Sequence, residues 1–219
     1  MIRIKNLFDL SHTQADGYLS GFEYPWQALK GIKDFITAYG NELDKSEYKE
    51  VRSCVWVHNS ATVAPTAYIG APCIIGAETE IRHCAFIRGN AIVGKNAVVG
   101  NSTELKNVVL FNNVQVPHYN YVGDSVLGFK SHMGAGAITS NVKSNKTLVC
   151  VKQGDQVIET GLKKFGAILG DNVEVGCGSV LNPGTIIGKN SQIYPLSNVR
   201  GVVVENSIYK RAGEIVAKY

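Results

Sequence analysis

The sequence lacks several patterns that mark whole classes of protein. None of its five cysteines forms a CxxC pair, and no apolar run approaches the length that spans a membrane. The leading stretch MIRIKNLFDLSH has no apolar signal-peptide core. Unpaired cysteines of this kind fit a reducing compartment. We therefore expect a soluble cytoplasmic protein with no membrane partner.

Charge of either sign is also sparse, and along the sequence it looks dispersed. The 219 residues include 22 Lys and Arg against 18 Asp and Glu, a formal net charge of +4. This mild excess suits a small anionic ligand, but it does not make the dense basic surface of a nucleic-acid-binding domain. We expect a small-molecule ligand and no nucleic-acid partner.

What the sequence does have is a repeat every six residues. From residue 57 the first position of each hexad is apolar ten times running, and eight of these ten residues are β-branched. At 45% apolar composition, chance would give this about 3 times in 10,000. The ten are Val57, Val63, Ile69, Ile75, Ile81, Ile87, Val93, Val99, Leu105 and Phe111, and the phase returns from Leu169 to Val199.

A period of six fits neither a helix, whose faces recur every 3.6 residues, nor a flat strand, whose faces recur every two. It fits a short strand plus a corner, with three such sides closing a coil of 18 residues and coils stacking about 4.8 Å apart. The frequent second-position glycines would take the awkward corner conformation. We predict an all-β fold, a parallel β-helix spanning residues 57–204.

Three segments fall outside the repeat. Residues 1–56 form an N-terminal cap with one helix in PWQALKGIKDFITAYG, ending at Gly40, which we expect to pack over the open end of the β-helix. A substrate-handling or partner-binding role is the alternative for this cap. Residues 139–165 predict a projecting hairpin arm, and residues 205–219 form a C-terminal tail. Between residues 122 and 127 the five-residue spacing predicts one shortened side.

Large side chains at the second position of a hexad are candidates for chemistry, because that position is often occupied by glycine. Arg88 and Lys106 are one full coil apart, so their side chains should stack about 5 Å apart, which an anion such as a sugar phosphate would explain. Two solvated surface charges are the alternative. His118 follows at the onset of the shortened side and is a candidate general base, or else a structural residue beside Tyr119 and Tyr121.

Longer motifs make the interpretation more specific. They are FIRGNAIVG, NSTELKN, VPHYNYVGDSVLG, MGAGAITSN, SNK and KFGAILGDN. Over roughly residues 60–205 the chain resembles the acetyltransferase domain of bifunctional N-acetylglucosamine-1-phosphate uridyltransferase/glucosamine-1-phosphate N-acetyltransferases of the archaeal type. The resemblance implies a left-handed β-helix and a homotrimer with sites between subunits. It also implies acetyl-CoA-dependent N-acetylation of an amino-sugar phosphate or a nucleotide-linked amino sugar.

The same resemblance implies residue roles. Arg88 and Lys106 would hold the sugar phosphate, and His118 would act as general base in a direct transfer, with an oxyanion-stabilising backbone N–H near residues 134–136. Further sugar contacts are implied at Tyr121, His132, Asn141 and Lys146, and acetyl-CoA contacts at Ala135, Cys177, Pro195 and Arg200. No metal is expected, because the histidines lack the close pair of the zinc-binding branch of this fold.

Two departures leave the activity open. His132 and Val142 stand where the family has an asparagine and an aromatic residue that touch sugar or acyl donor. The alternatives are a catalytically silent sugar-phosphate or nucleotide-sugar binding subunit, and a trimer that docks onto a separate nucleotidyltransferase. No Gly-x-Gly-Thr-Arg loop occurs, and 56 leading residues are too few for a nucleotide-binding domain, so we expect no uridyltransferase activity.

Overall fold

The computed structural model describes residues 2–218, and short strands make up most of it. The helices are α1 (Ile4–Leu7), α2 (Asp16–Leu19) and α3 (Ile32–Glu42), with 3₁₀ turns at Leu10–His12 and Pro25–Lys30. The strands are β1 (Tyr48–Arg52), β2 (Val55–His58), β3 (Thr62–Val63), β4 (Tyr68–Ile69), β5 (Cys73–Ile75), β6 (Glu80–Ile81), β7 (Phe86–Ile87), β8 (Ala91–Val93), β9 (Val98–Asn101), β10 (Glu104–Leu110), β11 (Gln115–His118), β12 (Tyr121–Leu127), β13 (His132–Met133), β14 (Ile138–Thr139), β15 (Val149–Gln153), β16 (Gln156–Leu162), β17 (Ala167–Leu169), β18 (Glu174–Val175), β19 (Val180–Leu181), β20 (Thr185–Ile187), β21 (Gln192–Ile193), β22 (Asn198–Val199), β23 (Val202–Val203), β24 (Ser207–Arg211) and β25 (Glu214–Ala217).

The strands stack into a three-sided coil. Side A contains β2, β5, β8, the second half of β10 and of β12, β17, β20 and β23; side B contains β3, β6, β9, β11, β13, β18, β21 and β24. Side C contains β4, β7, the first half of β10 and of β12, β14, β19 and β22. Neighbours on each side pair in parallel, as Ile75 does with Val93. The predicted left-handed parallel β-helix with a hairpin arm is confirmed.

First-position side chains form the core. All of them except Val63 in the first coil are buried, and each buried aliphatic side chain stabilises the fold by about 1.5–3 kcal/mol. The small polar residues at fifth positions are buried too and bond to the backbone of the next coil. Thr79 donates to the carbonyl of Gly94 (2.6 Å) and Thr103 to that of Val116 (2.9 Å). These two buried hydroxyls are thus satisfied, whereas the buried hydroxyl of Ser131 has no hydrogen-bond partner among residues 2–218.

The second-position glycines have a different cause from the one expected. Gly76 and Gly94 are not in the left-handed region; a Cβ at Gly76 would lie 2.7 Å from the Gly94 carbonyl carbon of the next coil. The left-handed conformation falls on fourth positions instead, as at Asn90 and Asn96, whose φ angles are 51° and 52°. Asparagine tolerates this region better than most residues. The glycines are there for close coil stacking.

The shortened side begins one coil earlier than predicted. Leu110 pairs with Val93 below it and with Leu127 above it, so the side from Leu105 to Leu110 is five residues long, like the next one. Phe111, expected in register, is buried beside this position. As a result β10 and β12 run without interruption through the corner between sides C and A.

The N-terminal segment is not one helix, and its helices do not pack over the end of the β-helix; only β1 shields part of that end, by pairing antiparallel with the outer edge of β2. The predicted helix is a 3₁₀ turn followed by α3, and Gly40 lies inside α3 rather than at its end. The segment packs along side A, where α3 contacts β5, β8 and β10. Farther along, Asp9 donates its backbone N–H to Asp171 (2.7 Å), and the rings of Phe8 and Phe111 lie 4.9 Å apart. Side A is therefore covered lengthwise.

The arm leaves the coil at the corner between sides C and A. Its strands β15 and β16 pair antiparallel, and the chain returns through Phe165, which is buried near Trp26. At the C-terminal end β24 and β25 form a second hairpin. No helix among residues 2–218 is long and apolar enough to cross a membrane.

Candidate functional site

At the corner between sides C and A, each of six successive coils places one residue at the same position, so that these six residues form a row along the β-helix. The strand register places there Arg88, Lys106, Gly123, Ser140, Asn182 and Arg200. The predicted stacking of Arg88 and Lys106 in neighbouring coils follows from this register.

Carboxylates missed in the sequence accompany both cations. Arg88 pairs with Glu104 (Nη1–Oε1 2.9 Å) and Lys106 with Asp124 (Nζ–Oδ1 2.8 Å). Lys106 is therefore not a solvated surface charge but part of a structural ion pair, because its partner carboxylate is only 4% exposed. The Arg88 pair is half exposed and screened by water, so Arg88 can turn to a ligand at little cost.

Tyr121 and Asn141 join the same group. The Asn141 amide donates to Asp124 (2.6 Å) and to the Tyr121 hydroxyl (3.2 Å). Gly123 leaves room for the tyrosine, since a Cβ there would lie 2.5 Å from its hydroxyl. Burial, with a smaller effect of the nearby carboxylates, raises the pKa of Tyr121, which stays a neutral phenol at physiological pH. We call this group the corner cluster: Arg88, Glu104, Lys106, Tyr121, Asp124 and Asn141.

His118 lies across side C from the corner cluster, at the corner between sides B and C. Its backbone is fixed by the Asn120 side chain, which accepts its N–H (3.1 Å), and by Gly136, which donates to its carbonyl (3.0 Å). The exposed imidazole makes no hydrogen bond within residues 2–218. The corner cluster and His118 therefore mark the two edges of one side.

His132 lies on side B and is held by a carboxylate. Its Nδ1 is 2.8 Å from Glu174 in the next coil. Both residues line a groove of about 290 Å³ whose walls also include Cys177 and Pro195. Two of the residues predicted to contact acetyl-CoA thus lie together with His132.

Ala135 lies at the corner next to this groove. Its carbonyl accepts the N–H of Gly178 (2.9 Å), while the backbone N–H groups of Gly134 and Gly136 are bonded to other coils. Of these three N–H groups, the one on Ala135 makes no hydrogen bond within the described part of the chain. It is the available donor of the Gly-rich turn.

Arg200 and Lys146 lie elsewhere. Arg200 is at the corner between sides C and A, in a cavity against the arm, so the four predicted acetyl-CoA contacts fall in two places. Lys146 is exposed in the arm, and its ammonium bonds to none of residues 2–218. The structure therefore brings together four of the predicted substrate contacts (Arg88, Lys106, Tyr121 and Asn141) and leaves His132 and Lys146 apart from them.

The residues missed in the sequence are acidic. Glu104 and Asp124 could have been found in the sequence, because the coil period places each within a turn of a candidate cation. The pairing of Glu174 with His132 was harder to predict, because the arm insert lies between the two residues in the sequence. No group of three or more His, Cys, Asp or Glu side chains among residues 2–218 is placed to hold a metal ion.

Known proteins share these features. The GMPPB C-terminal domain family matches residues 72–187. The chain is 30% identical to a bifunctional protein GlmU of Methanococcus maripaludis over 95% of this chain and 51% of that protein. It is 33% identical to a bifunctional sugar-1-phosphate nucleotidylyltransferase/acetyltransferase of Sulfurisphaera tokodaii over 48% of this chain and 25% of that protein.

Among solved structures, a hexapeptide transferase family protein from Anaplasma phagocytophilum has 15% identity and a TM-score of 0.42, with 74% of this chain and 78% of that chain covered. The chain spans about half, or less, of the length of the curated relatives it matches. The resemblance inferred from the motifs is confirmed by these relatives. With more than half of its length matched, this chain belongs to the GMPPB C-terminal domain family.

Proposed function

We propose that the protein is an acetyl-CoA-dependent N-acetyltransferase whose acceptor is an amino-sugar phosphate or a nucleotide-linked amino sugar. The observation that carries this proposal is the corner cluster, which gathers Arg88, Lys106, Tyr121 and Asn141 at one edge of side C. Relatives named as bifunctional nucleotidylyltransferase/acetyltransferase proteins support it. The uridyltransferase activity is not part of the proposal.

In this mechanism the protein's groups act on one proton and one developing charge. His118 takes the proton from the acceptor ammonium, because only the neutral amine attacks the thioester carbonyl. The N–H of Ala135 stabilises the oxyanion of the tetrahedral intermediate. The C–S bond then breaks, the leaving thiolate takes the proton that His118 carries, and the nitrogen gives its second proton to water. Cys177 and Pro195 line the groove for the donor's alkyl arm. No covalent enzyme intermediate is needed.

We further propose a homotrimer whose sites lie between subunits. The N-terminal segment covers side A, but side C exposes the contacting rings of Tyr68 and Phe86, and the corner between sides B and C exposes Tyr119 and Leu196. Exposed apolar side chains grouped in this way favour contact with another protein surface. His118 lies at this corner, so a neighbouring subunit could supply the contact that orients its imidazole. The five free cysteines fit a cytoplasmic location.

The test is acetyl-CoA turnover against glucosamine-1-phosphate, galactosamine-1-phosphate, nucleotide-linked amino sugars and unphosphorylated glucosamine. We expect turnover with one or more phosphorylated acceptors and little with free glucosamine. Turnover of none contradicts the enzyme proposal.

The second candidate is a silent binding subunit. It is favoured by the imidazole of His118, which makes no hydrogen bond within residues 2–218. Equilibrium binding of the same sugars without turnover would support it. Docking onto a separate nucleotidyltransferase, the remaining possibility, is tested by co-purification with that enzyme.

A further inference from the structure

Two aromatic side chains lie exposed on side C, near the N-terminal end of the β-helix. Tyr68 is 51% and Phe86 is 43% exposed, and their ring centroids are 5.7 Å apart on the paired strands β4 and β7. The guanidinium of Arg52 lies 4.9 Å from the centre of the Tyr68 ring. We call this surface the aromatic platform: Arg52, Tyr68 and Phe86. Exposed rings grouped beside a cation indicate a binding surface.

The aromatic platform continues the corner cluster along the β-helix. The residues that share one position in four successive coils are Tyr68, Phe86, Glu104 and Tyr121. The next residue in each of these strands is buried in the core, so the alternation of a strand turns these four side chains outward. At about 4.8 Å per coil they form a strip about 14 Å long, which runs beside the row that contains Arg88 and Lys106.

The proposed acceptor gives this strip a direction. Its amine lies toward His118, which directly precedes β12 and is in the same coil as Tyr121. Its phosphate lies at Lys106 and Arg88, one and two coils earlier. Any group attached to that phosphate therefore extends toward the aromatic platform. An amino-sugar monophosphate would end at Arg88 and leave both rings uncovered.

We propose that the aromatic platform binds the base of a nucleotide-linked amino sugar, so that the acceptor is a nucleoside diphosphate amino sugar. This rests on the proposed acetyltransferase function and decides between its two classes of acceptor. Phe86 and Tyr68 stack on the base, since every base has a π face, and Arg52 donates to the edge of the base. Glu104 lies between Tyr121 and Phe86 and accepts from the ribose hydroxyls once Arg88 turns to the phosphate, as carboxylates do in dinucleotide sites.

A neighbouring subunit is the other partner that could cover these rings in the proposed homotrimer. A base needs the flat π face of Phe86, whereas a protein surface needs only apolar bulk. Phe86→Leu keeps the bulk and loses the π face, while Phe86→Tyr keeps the π face. The two variants therefore separate a bound base from a contact between subunits.

Direct binding tests the platform without any need for turnover. UDP, ADP, GDP and inorganic pyrophosphate are titrated calorimetrically into the full chain, Phe86→Leu, Phe86→Tyr and Arg88→Gln. We expect the tightest-binding nucleoside diphosphate to bind Phe86→Leu roughly 5- to 100-fold more weakly, the range for one lost base–aromatic contact, and Phe86→Tyr as it binds the wild type. Pyrophosphate should bind Phe86→Leu unchanged, and Arg88→Gln should weaken both kinds of ligand. A Phe86→Leu variant that loses both ligands equally, as a damaged trimer would, or that loses neither, overturns the proposal.

Steady-state kinetics then separate the platform from the proposed function. With nucleotide-linked glucosamine as acceptor, Phe86→Leu should raise KM by about the same factor as it weakens binding, and with glucosamine-1-phosphate it should leave KM unchanged. If nucleoside diphosphates bind through Phe86 but no acceptor is acetylated, the platform stands and the proposed acetyltransferase function fails. If acceptors are acetylated while Phe86→Leu binds nucleotides as the wild type does, the function stands and the platform proposal fails.

Discussion

Arg88 and Lys106 occupy the same position in neighbouring coils but have different surroundings, so their loss should have different effects. Arg88→Ala should weaken phosphorylated-sugar binding by about 1.5–3 kcal/mol, the range for hydrogen bonds to charged groups, and change stability by less than about 0.5 kcal/mol. Lys106→Ala should destabilise the fold by roughly 1–3 kcal/mol, because it leaves the buried Asp124 carboxylate without its cation. Binding isotherms and urea unfolding measure the two effects.

The second substitution that checks this contrast is Asp124→Asn in the Lys106→Ala background. Removing the carboxylate's charge should recover part of the lost stability, since an amide needs no cation. If Arg88→Ala weakens phosphorylated and unphosphorylated sugars equally, Arg88 does not bind the phosphate. If Lys106→Ala unfolds at the wild-type urea concentration, the pair with Asp124 is not a structural one.

His118 is the residue on which the proposed chemistry depends. His118→Ala should lower kcat about 100- to 10,000-fold, the usual contribution of a general base, and leave acetyl-CoA affinity and Tm nearly unchanged because the side chain is exposed. His132→Ala is the matched variant, since His132 is held by Glu174 and lines the neighbouring groove. Loss of turnover in His132→Ala with activity retained in His118→Ala would assign the base to His132.

At the scale of elements, α3 offers a test in which two effects have opposite signs. Gly40→Ala should raise helix propensity by about 1 kcal/mol, but the added Cβ would overlap the Trp56 ring, and overpacking costs about 1–3 kcal/mol. We expect net destabilisation. Gly17→Ala in α2 is the control, because nothing lies within 4 Å of its Cβ, and it should be neutral or stabilising. Thermal unfolding of both variants measures the difference; a more stable Gly40→Ala would mean that α3 does not pack on Trp56.

The N-terminal segment should also make stability fall at high pH. Burial raises the pKa of Tyr18 from 10.0 to about 12, and its hydroxyl donates to the Ala28 carbonyl (2.5 Å). The folded state therefore keeps a proton that the unfolded state releases, so this contribution is complete below about pH 10 and is lost as pH rises toward 12. Tyr18→Phe should flatten the fall in Tm over this range.

The β-helix itself could be predicted from the sequence because its signal is local. Every coil has an apolar residue at the same inward position, so the spacing of residues such as Ile75 and Val93 shows the period without information from the rest of the chain. The earlier short side could not be predicted, because Leu110 and Phe111 are both apolar and both buried, and only strand pairing decides which is in register. The path of the N-terminal segment could not be predicted either, since its contacts with side A join residues far apart in sequence, such as Asp9 and Asp171.

At the scale of the whole molecule, candidate residues were easier to predict than their partners. The repeat count was enough to stack Arg88 on Lys106, because both are on the same position of neighbouring coils. It did not show that Glu104 and Asp124 neutralise them, because the period gives the coil and side of a residue but not the direction in which a long side chain turns. The packing of the arm against the last coil was hidden for another reason: the arm folds back, so Lys143 and Arg200 line one cavity although 57 residues of chain separate them.

Assembly is the last property that the surface predicts. Leu196 is 85% exposed and has a φ of 58°, a conformation that favours glycine or asparagine, so a lone subunit gains nothing from a leucine there. A neighbouring subunit that covers the side chain would explain it.

Leu196→Asn should keep or raise the stability of the isolated fold, because asparagine relieves the backbone strain, while it weakens the trimer. Light scattering across a dilution series should show wild-type protein as a trimer at micromolar concentration and Leu196→Asn dissociating at higher concentration. Val51→Asn, at another exposed apolar residue far from this corner, should dissociate as the wild type does. A wild-type protein that is monomeric at micromolar concentration would remove the basis for a site shared between subunits and leave His118 without a partner to orient it.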